Sequence, residues 1–519
     1  MPNNKVIVVA LDGVALDLVL RWTKEGYLPN IKNLLQTVSY GTINSTNPPI
    51  SIQAWSTFMT GRGAGETCIF DYVQRDFPEG SFRCPSSNDL KIETIWSKLN
   101  KLDKKTGVLF FPLTYPVEKL NGFMISGLLT PSYNCEKVAF PEGILKKYNV
   151  DTDLLSRSID IPAVKNDYRD FLDISMKQLK EKSRIALEML NSESWDLFMV
   201  HFFETDAISH TMWRFMENEG STKKRNKNDN FNEAILNAYK QCDSFVGEVV
   251  NIAKNNQASI IILSDHGEVP VRNTLNINNL LRREGLLNYY KLNSKTMLSR
   301  LAEKIASKYK NNNALRLILS FGCNSVNLVY CKLSSQVVKN FIDSFFLKGI
   351  KFLPRSLQSL FSPFQHTMID WKKTQAYSIG CGGGIWINLK GKYPDGIVEG
   401  KDYDKIRESI ISHFERLKDK EGKPILKKVH RKEGLYKGKY IDCAPDLVID
   451  FEGVHFIYNF FDNSIVSKPV NYVSGNHSHE GVFILKDPRM NNCKKIEKAL
   501  DLKEVSNIIY YLMGVADVK

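Results

Sequence analysis

The sequence predicts an α/β protein with a mostly parallel central sheet and helices on both faces. Two observations carry this expectation. Short apolar runs at Lys5–Leu11, Leu197–Phe203 and Ser259–Leu263 have the unbroken character of strands buried on both faces, and helical patterns lie between them. Polar residues with chemical capacity also stand where those runs stop, at Asp12, at Thr205-Asp206 and at Asp265-His266. In open α/β sheets, ligands bind beyond the carboxyl ends of the strands.

Taken in chain order, the first run ends at Asp12-Gly13. A helical segment follows over Ala15–Glu25, and Gly26 stops it. A short strand over Ser39–Ile43 leads into T-N-P-P, which cannot be helical. Ser51 then precedes the apolar stretch Ala54–Met59, at a helix N-terminus where the dipole and free N–H groups favour an anion. Gly107–Phe111 reads as a further strand, and Arg184–Leu190 and Asn232–Ala253 read as helices. Beyond the Gly382–Gly384 turn, strands are expected at Ile385–Leu389 and Asp446–Phe451, and a helix at Asp404–Leu417. His477 falls on a glycine-flanked loop ahead of a strand at Gly481–Leu485.

The segment 286–365 differs from the rest. Between Lys291 and Ser320 there are seven Lys/Arg and one Glu, with apolar Met297, Leu298, Leu301 and Ile305 at helical spacing. The plainest reading is a helix that packs its apolar side and shows lysines to water. The sharper one is a cap whose cations meet substrate, nucleic acid or a membrane surface. The chain therefore reads as one discontinuous core: 1–285, a basic insert or cap over 286–365, and 366–519 with the last candidate ligand.

At 519 residues, 43% hydrophobic and 24% charged, the composition is that of a globular protein with a large core. The net charge of +13 comes from lysines that are scattered rather than gathered into one tract. That favours a generally basic surface over a nucleic-acid stripe. The nine cysteines contain no C-x-x-C pair and suggest no disulfide framework. The apolar run before Asp12 is too short for a signal segment, and no window has the length of a membrane span. The expectation is a cytoplasmic protein.

The chemistry is concentrated in five motifs: V-V-A-L-D-G with Asp12, P-P-I-S-I-Q-A-W with Ser51, T-D-A-I-S-H with Asp206 and His210, S-D-H-G with Asp265 and His266, and G-N-H-S-H-E-G with His477. Asp206 and His210, four residues apart, share one face of a helix. An adjacent Asp and His past a buried strand are costly without a partner. His479 stands as an alternative to His477. Three carboxylates and three imidazoles suit two zinc-like cations, and Ser51 adds a nucleophile. Singly, Asp12 reads as an ordinary strand-to-helix turn and Ser51 as a helix cap.

As an ordered set, these motifs resemble the alkaline phosphatase superfamily, and within it the type I phosphodiesterase/nucleotide pyrophosphatase branch and its phosphohydrolase and phosphomutase relatives. L-P-N-I-K-N-L, I-F-D-Y, D-H-G-E-V-P-V-R-N-T-L and A-P-D-L-V-I-D-F add to the likeness. The resemblance implies an alkaline phosphatase-like fold and two divalent metal ions, zinc first and manganese second. It makes Ser51 the nucleophile and a ligand, with Asp12, Asp265 and His266 on one cation and Asp206, His210 and His477 on the other. Where relatives often carry a histidine after the T-G pair, this chain has Thr67 and Cys68. Ser51-Ile52-Gln53-Ala54-Trp55 lacks the Pro and Arg that a sulfatase needs. Arg62 and Arg214 flank the motifs as candidate phosphate contacts or as structural ion pairs. The implied activity is a metal-dependent phosphoric ester hydrolase of the phosphodiesterase/nucleotide pyrophosphatase kind, acting through a covalent intermediate on Ser51. The rivals are a phosphomutase or phosphotransferase with the same phosphoserine, and a catalytically silent anion-binding protein. A small phosphate ester is the expected partner.

Overall fold

The computed structural model describes residues 4–76, 80–157, 168–217, 231–290, 369–457, 463–469, 473–490 and 495–515. The expected basic helix near Met297–Ile305 and nearly all of the 286–365 insert lie outside them. The flanks of that segment meet, since Tyr289 bridges Ile369 and the Asp370 N–H donates to Asn288 O at 2.8 Å.

A nine-stranded sheet organises the chain. Its order is Lys495–Asp501, Ser39–Asn44, Glu480–Lys486, Ser259–Leu263, Val6–Leu11, Leu197–Phe202, Thr106–Leu109, Gly122–Ile125 and Ala139–Phe140. The Val6–Leu11 strand pairs in parallel with both Leu197–Phe202 and Ser259–Leu263. Only Glu480–Lys486 and Ala139–Phe140 run against their neighbours. The sheet is thus mostly parallel, as the apolar runs predict.

Each central strand is buried along its length because helices cover both faces. Alternation along Val6–Leu11 divides its side chains between two cores. Ile7, Val9 and Leu11 meet the Leu16–Lys24, Tyr168–Ser192 and Ala234–Asn256 helices, while Val6, Val8 and Ala10 meet Ser51–Thr60, Ile95–Asn100 and Val505–Leu512.

A second sheet of four antiparallel strands follows the order Ala376–Ser378, Gly384–Ile387, Leu447–Asp450, Lys428–Arg431. With the Ile277–Arg283 and Tyr403–Glu415 helices it closes a third apolar cluster around Tyr377, Trp386, Ile387 and Phe414. The strands expected near Ile385 and Asp446 belong here rather than to the main sheet. The loop expected at His477 is instead a strand, Gly475–Ser478, paired antiparallel with Gly267–Pro270. Its glycine flank suggests a loop, but backbone pairing with the segment after Asp265-His266 supplies the partners that make a strand.

Candidate active site

The three central parallel strands deliver their following residues to one sheet edge. Asp12 directly follows Leu11, the Glu204–Glu217 helix begins two residues after Phe202, and Ser264-Asp265-His266 follow Leu263. Ser51 opens a ten-residue helix, every residue of which is buried, and Gly61 ends it at φ 69° in the left-handed region. The Glu480–Lys486 strand runs in the opposite sense, so the residues before it, including His477, return to that same edge. The sheet directions thereby bring together seven residues spread from 12 to 477.

One half of the cluster surrounds Ser51. Its Oγ lies 3.3 Å from Asp12 Oδ1 and 3.2 Å from His266 Nε2. His266 Nε2 is 3.4 Å from both Asp12 Oδ1 and Asp265 Oδ2. The other half centres on Asp206 Oδ1, 3.3 Å from His210 Nε2 and 3.5 Å from His477 Nε2. The two histidine Nε2 atoms are 2.8 Å apart, and the His266 and His477 rings lie 3.9 Å apart between centroids, tilted by 30°. Gly13 packs between the halves. Its φ is +67°, and a Cβ there would come within 2.9 Å of Asp206 Oδ1.

Hydrogen bonds to backbone carbonyls orient the imidazoles. His210 Nδ1–H donates to Gly475 O at 2.7 Å, and His266 Nδ1–H donates to Gly267 O at 3.0 Å. Each bond turns Nε2 toward the cluster, the orientation from which that atom would ligate a bound cation. Asp12 Oδ2 is held from behind by the Trp55 indole and by His201, both at 3.0 Å.

The charges are tightly interlocked. Burial would raise Asp12, but hydrogen bonds from His201 and His266 hold it well below the usual carboxylate range. Burial likewise opposes ionisation of Asp206, and His210 and His477 outweigh it. Burial, with the Asp12 charge alongside, pushes Asp265 well up. Burial works against the His210 imidazolium, yet the Asp206 and Glu268 carboxylates raise it to about 10. Burial and the neighbouring His266 bring His477 down to about 4.

The donor set fits divalent cations. Asp12, Asp265 and His266 present ligand atoms within 4.8 Å of one another, as do Asp206, His266, Glu268 and His477. Beyond these histidine contacts, the buried Asp206 Oδ1 and Asp265 Oδ2 make no hydrogen bond. Such orphaned acceptors are expensive in a protein interior unless a cation satisfies them. Mixed carboxylate and imidazole donors suit zinc, manganese or iron.

The remaining sequence candidates have other partners. Arg62 is half exposed and pairs with Glu66 at 3.9 Å. The Arg214 side chain hydrogen-bonds Tyr168, and its backbone N–H donates to Ser474 Oγ at 3.1 Å. His479 pairs at 3.0 Å with Asp450, which ends a strand of the second sheet. Thr67 ends the short Ala64–Thr67 helix, and Cys68 caps it at φ 65°.

Four participants escaped the sequence reading. His201 and Trp55 brace Asp12. Tyr72 shares a hydrogen bond with Ser51. Glu268, 3% exposed, lies 3.6 Å from His210 Nε2. The first three sit in strings that look like core, and only the fold reveals their direction. Glu268 had a signal in its placement directly after the Asp-His-Gly turn. Asp71 completes the surroundings. It accepts N–H bonds from Tyr72 at 2.6 Å, Cys381 at 3.1 Å and Gly382 at 2.9 Å, clamping the glycine-rich turn of the second sheet to the segment that carries Tyr72.

Sheet order, helix placement and site position define a protein of alkaline phosphatase-like architecture. The profile of the type I phosphodiesterase / nucleotide pyrophosphatase family matches residues 6–321, and the chain belongs to that family. Among solved structures, human ectonucleotide pyrophosphatase / phosphodiesterase 5 aligns with a TM-score of 0.50 at 11% identity, covering 99% of this chain and 96% of that one. The phosphonoacetate hydrolase of Sinorhizobium meliloti, solved with phosphonoacetate, aligns with a TM-score of 0.53 at 11% identity and the same coverage. At these identities the likeness is one of fold. No curated protein sequence matches the chain significantly.

Proposed function

We propose that this protein is a metal-dependent hydrolase of phosphoric esters that acts on phosphodiesters through a covalent intermediate on Ser51. The observation that carries the reading is the setting of Ser51 Oγ: at the start of a buried helix, 3.2 Å from His266 and 3.3 Å from Asp12, amid carboxylates and imidazoles with unsatisfied ligand atoms. Membership of the family supports phosphoester hydrolysis as the reaction class.

In this reading Asp12, Asp265, His266 and Ser51 hold one divalent cation, and Asp206, His210 and His477 hold the second. When bound, the cations supply Lewis-acid polarisation of the phosphoryl oxygens and lower the pKa of the serine hydroxyl. The protein supplies geometry and charge. The Ser51–Thr60 helix aims the positive end of its dipole at the phosphoryl group. Tyr72 orients the Ser51 hydroxyl, and Trp55 with His201 keeps Asp12 from turning away. Ser51 Oγ gives up its proton to solvent and forms the new O–P bond as the bond to the leaving alkoxide breaks and the alkoxide takes up a proton; water then hydrolyses the resulting seryl phosphodiester, releasing a phosphate monoester and restoring the hydroxyl.

The test compares wild type with Ser51→Ala, reconstituted with zinc or manganese. The substrates are bis-p-nitrophenyl phosphate, p-nitrophenyl phosphate and a thymidine monophosphate nitrophenyl ester. Diester turnover is expected to fall by at least about a thousandfold in the variant. Undiminished turnover in Ser51→Ala would remove the covalent mechanism. Wild-type turnover of the monoester alone would transfer the assignment to a phosphatase, and an isomerised ester in place of free phosphate would transfer it to a mutase.

A further inference from the structure

Glu268 lies at the centre of the cluster and has no role in the scheme above. It follows the Asp265-His266-Gly267 turn on the Gly267–Pro270 strand, and its register partner across the two-stranded ribbon is His477. Directly opposed residues of an antiparallel pair project to the same face. The ribbon therefore sends a carboxylate and an imidazole to one point, where Asp206 and His210 arrive from the Glu204–Glu217 helix. Glu268 is 3% exposed, and neither carboxylate oxygen makes a hydrogen bond. The backbone is shaped to admit it: a Cβ on Gly475 would come within 2.8 Å of Glu268 Oε2. A buried carboxylate beside a second one, Asp206, with His210 Nε2, 3.6 Å from Glu268, as the nearest donor for both, is a costly arrangement that a cation would relieve.

We propose that Glu268 is an additional ligand of the cation that Asp206, His210 and His477 would hold, a role that rests on the two-metal reading of the site. Its chemistry has two consequences. A second carboxylate makes that position richer in hard oxygen donors, so manganese gains relative to zinc. It also changes the charge balance. Asp12, Asp206, Asp265 and Glu268 offset two divalent cations completely, leaving a centre that is neutral before Ser51 ionises. A neutral centre loses the extra Coulomb attraction for a doubly charged monoester and suits the single negative charge of a diester.

The experiment is calorimetric titration of metal-stripped protein with manganese and with zinc, with bound metal counted by elemental analysis. Wild type is expected to take up two ions. Glu268→Gln, which keeps the shape and removes the charge, is expected to retain one ion at wild-type affinity and to bind the other at least about tenfold more weakly, with a larger loss for manganese than for zinc. Two ions bound at wild-type affinity by Glu268→Gln would overturn the role of Glu268 and leave the hydrolase reading standing. A wild type that takes up no metal would overturn both. If Glu268→Gln does not fold, Glu268→Asp decides, since it keeps the charge but withdraws it by one methylene. Weakened binding at one position is expected there too, and unchanged binding at both overturns the proposal.

Discussion

Asp71 shows how one buried carboxylate ties a distant turn to the site. Burial pushes its pKa up to about 6, against the opposing pull of the Gly382, Cys381 and Tyr72 N–H bonds. The sign of the linkage follows directly. The folded protein holds this proton more tightly than the unfolded chain, whose aspartate titrates near 3.8. The stability tied to the group is therefore full below that value and declines as pH rises through about 6. Between pH 4 and 7, wild type should lose roughly 2 kcal/mol more than Asp71→Asn in denaturant titrations. Parallel profiles would reject this account. Gly380 is obligatory in the same clamp, because at φ +83° a Cβ would come within 2.4 Å of the Asp71 carboxylate. At this scale the sequence revealed the residues with evident chemistry, Asp12, Asp265 and His266 among them. It concealed Asp71 and His201, whose importance depends on what lies opposite them hundreds of residues away.

Among the elements, the Glu204–Glu217 helix has the most to hold in place, since it carries Asp206 and His210. Its first residue is anchored by a buried ion pair, Lys182 Nζ to Glu204 at 2.6 Å, with the two side chains 9% and 1% exposed. Lys182 belongs to the neighbouring Tyr168–Ser192 helix and also lies over the Phe110 ring at 5.2 Å. Removing one partner of such a pair strands the other charge in the interior. Lys182→Ala is therefore expected to cost about 3–5 kcal/mol in chemical denaturation, and Lys182→Met combined with Glu204→Gln to recover most of it. A single variant as stable as wild type would show that the pair is dispensable. Element types were largely readable from pattern: the first helix was expected over Ala15–Glu25 and occupies Leu16–Lys24, and the Ser259–Leu263 strand has its expected limits. Gly122–Ile125, Ala139–Phe140 and Lys495–Asp501 were not read, being short or polar edge strands with little apolar periodicity. The direction of Glu480–Lys486 was equally hidden, since alternation reveals a strand but not its sense.

For the whole molecule, the candidate ligands draw on both ends of the chain and on both sides of the two-stranded ribbon. A cation bound there stabilises the assembled core and has no equivalent site in the unfolded chain. Stripping the metal with a chelator should lower Tm by about 5 °C or more, and restoring manganese or zinc should reverse the shift. An unchanged Tm would mean that the folded protein binds no stabilising ion at these positions. Among the described residues, no helix is long and apolar enough to cross a membrane.

The place of the Glu480–Lys486 strand has a consequence for how the protein is made. It lies between Ser39–Asn44 and Ser259–Leu263, pairing with both. Until a ribosome has released those residues, Ser39–Asn44 has no neighbour joining it to the central strands, and the Ser259–Leu263 edge stays open. The nascent chain therefore waits, with an apolar edge uncovered, for a segment translated more than two hundred residues later. Chaperone demand during synthesis should be highest in that interval, and it ends when the last central strand slides into the gap.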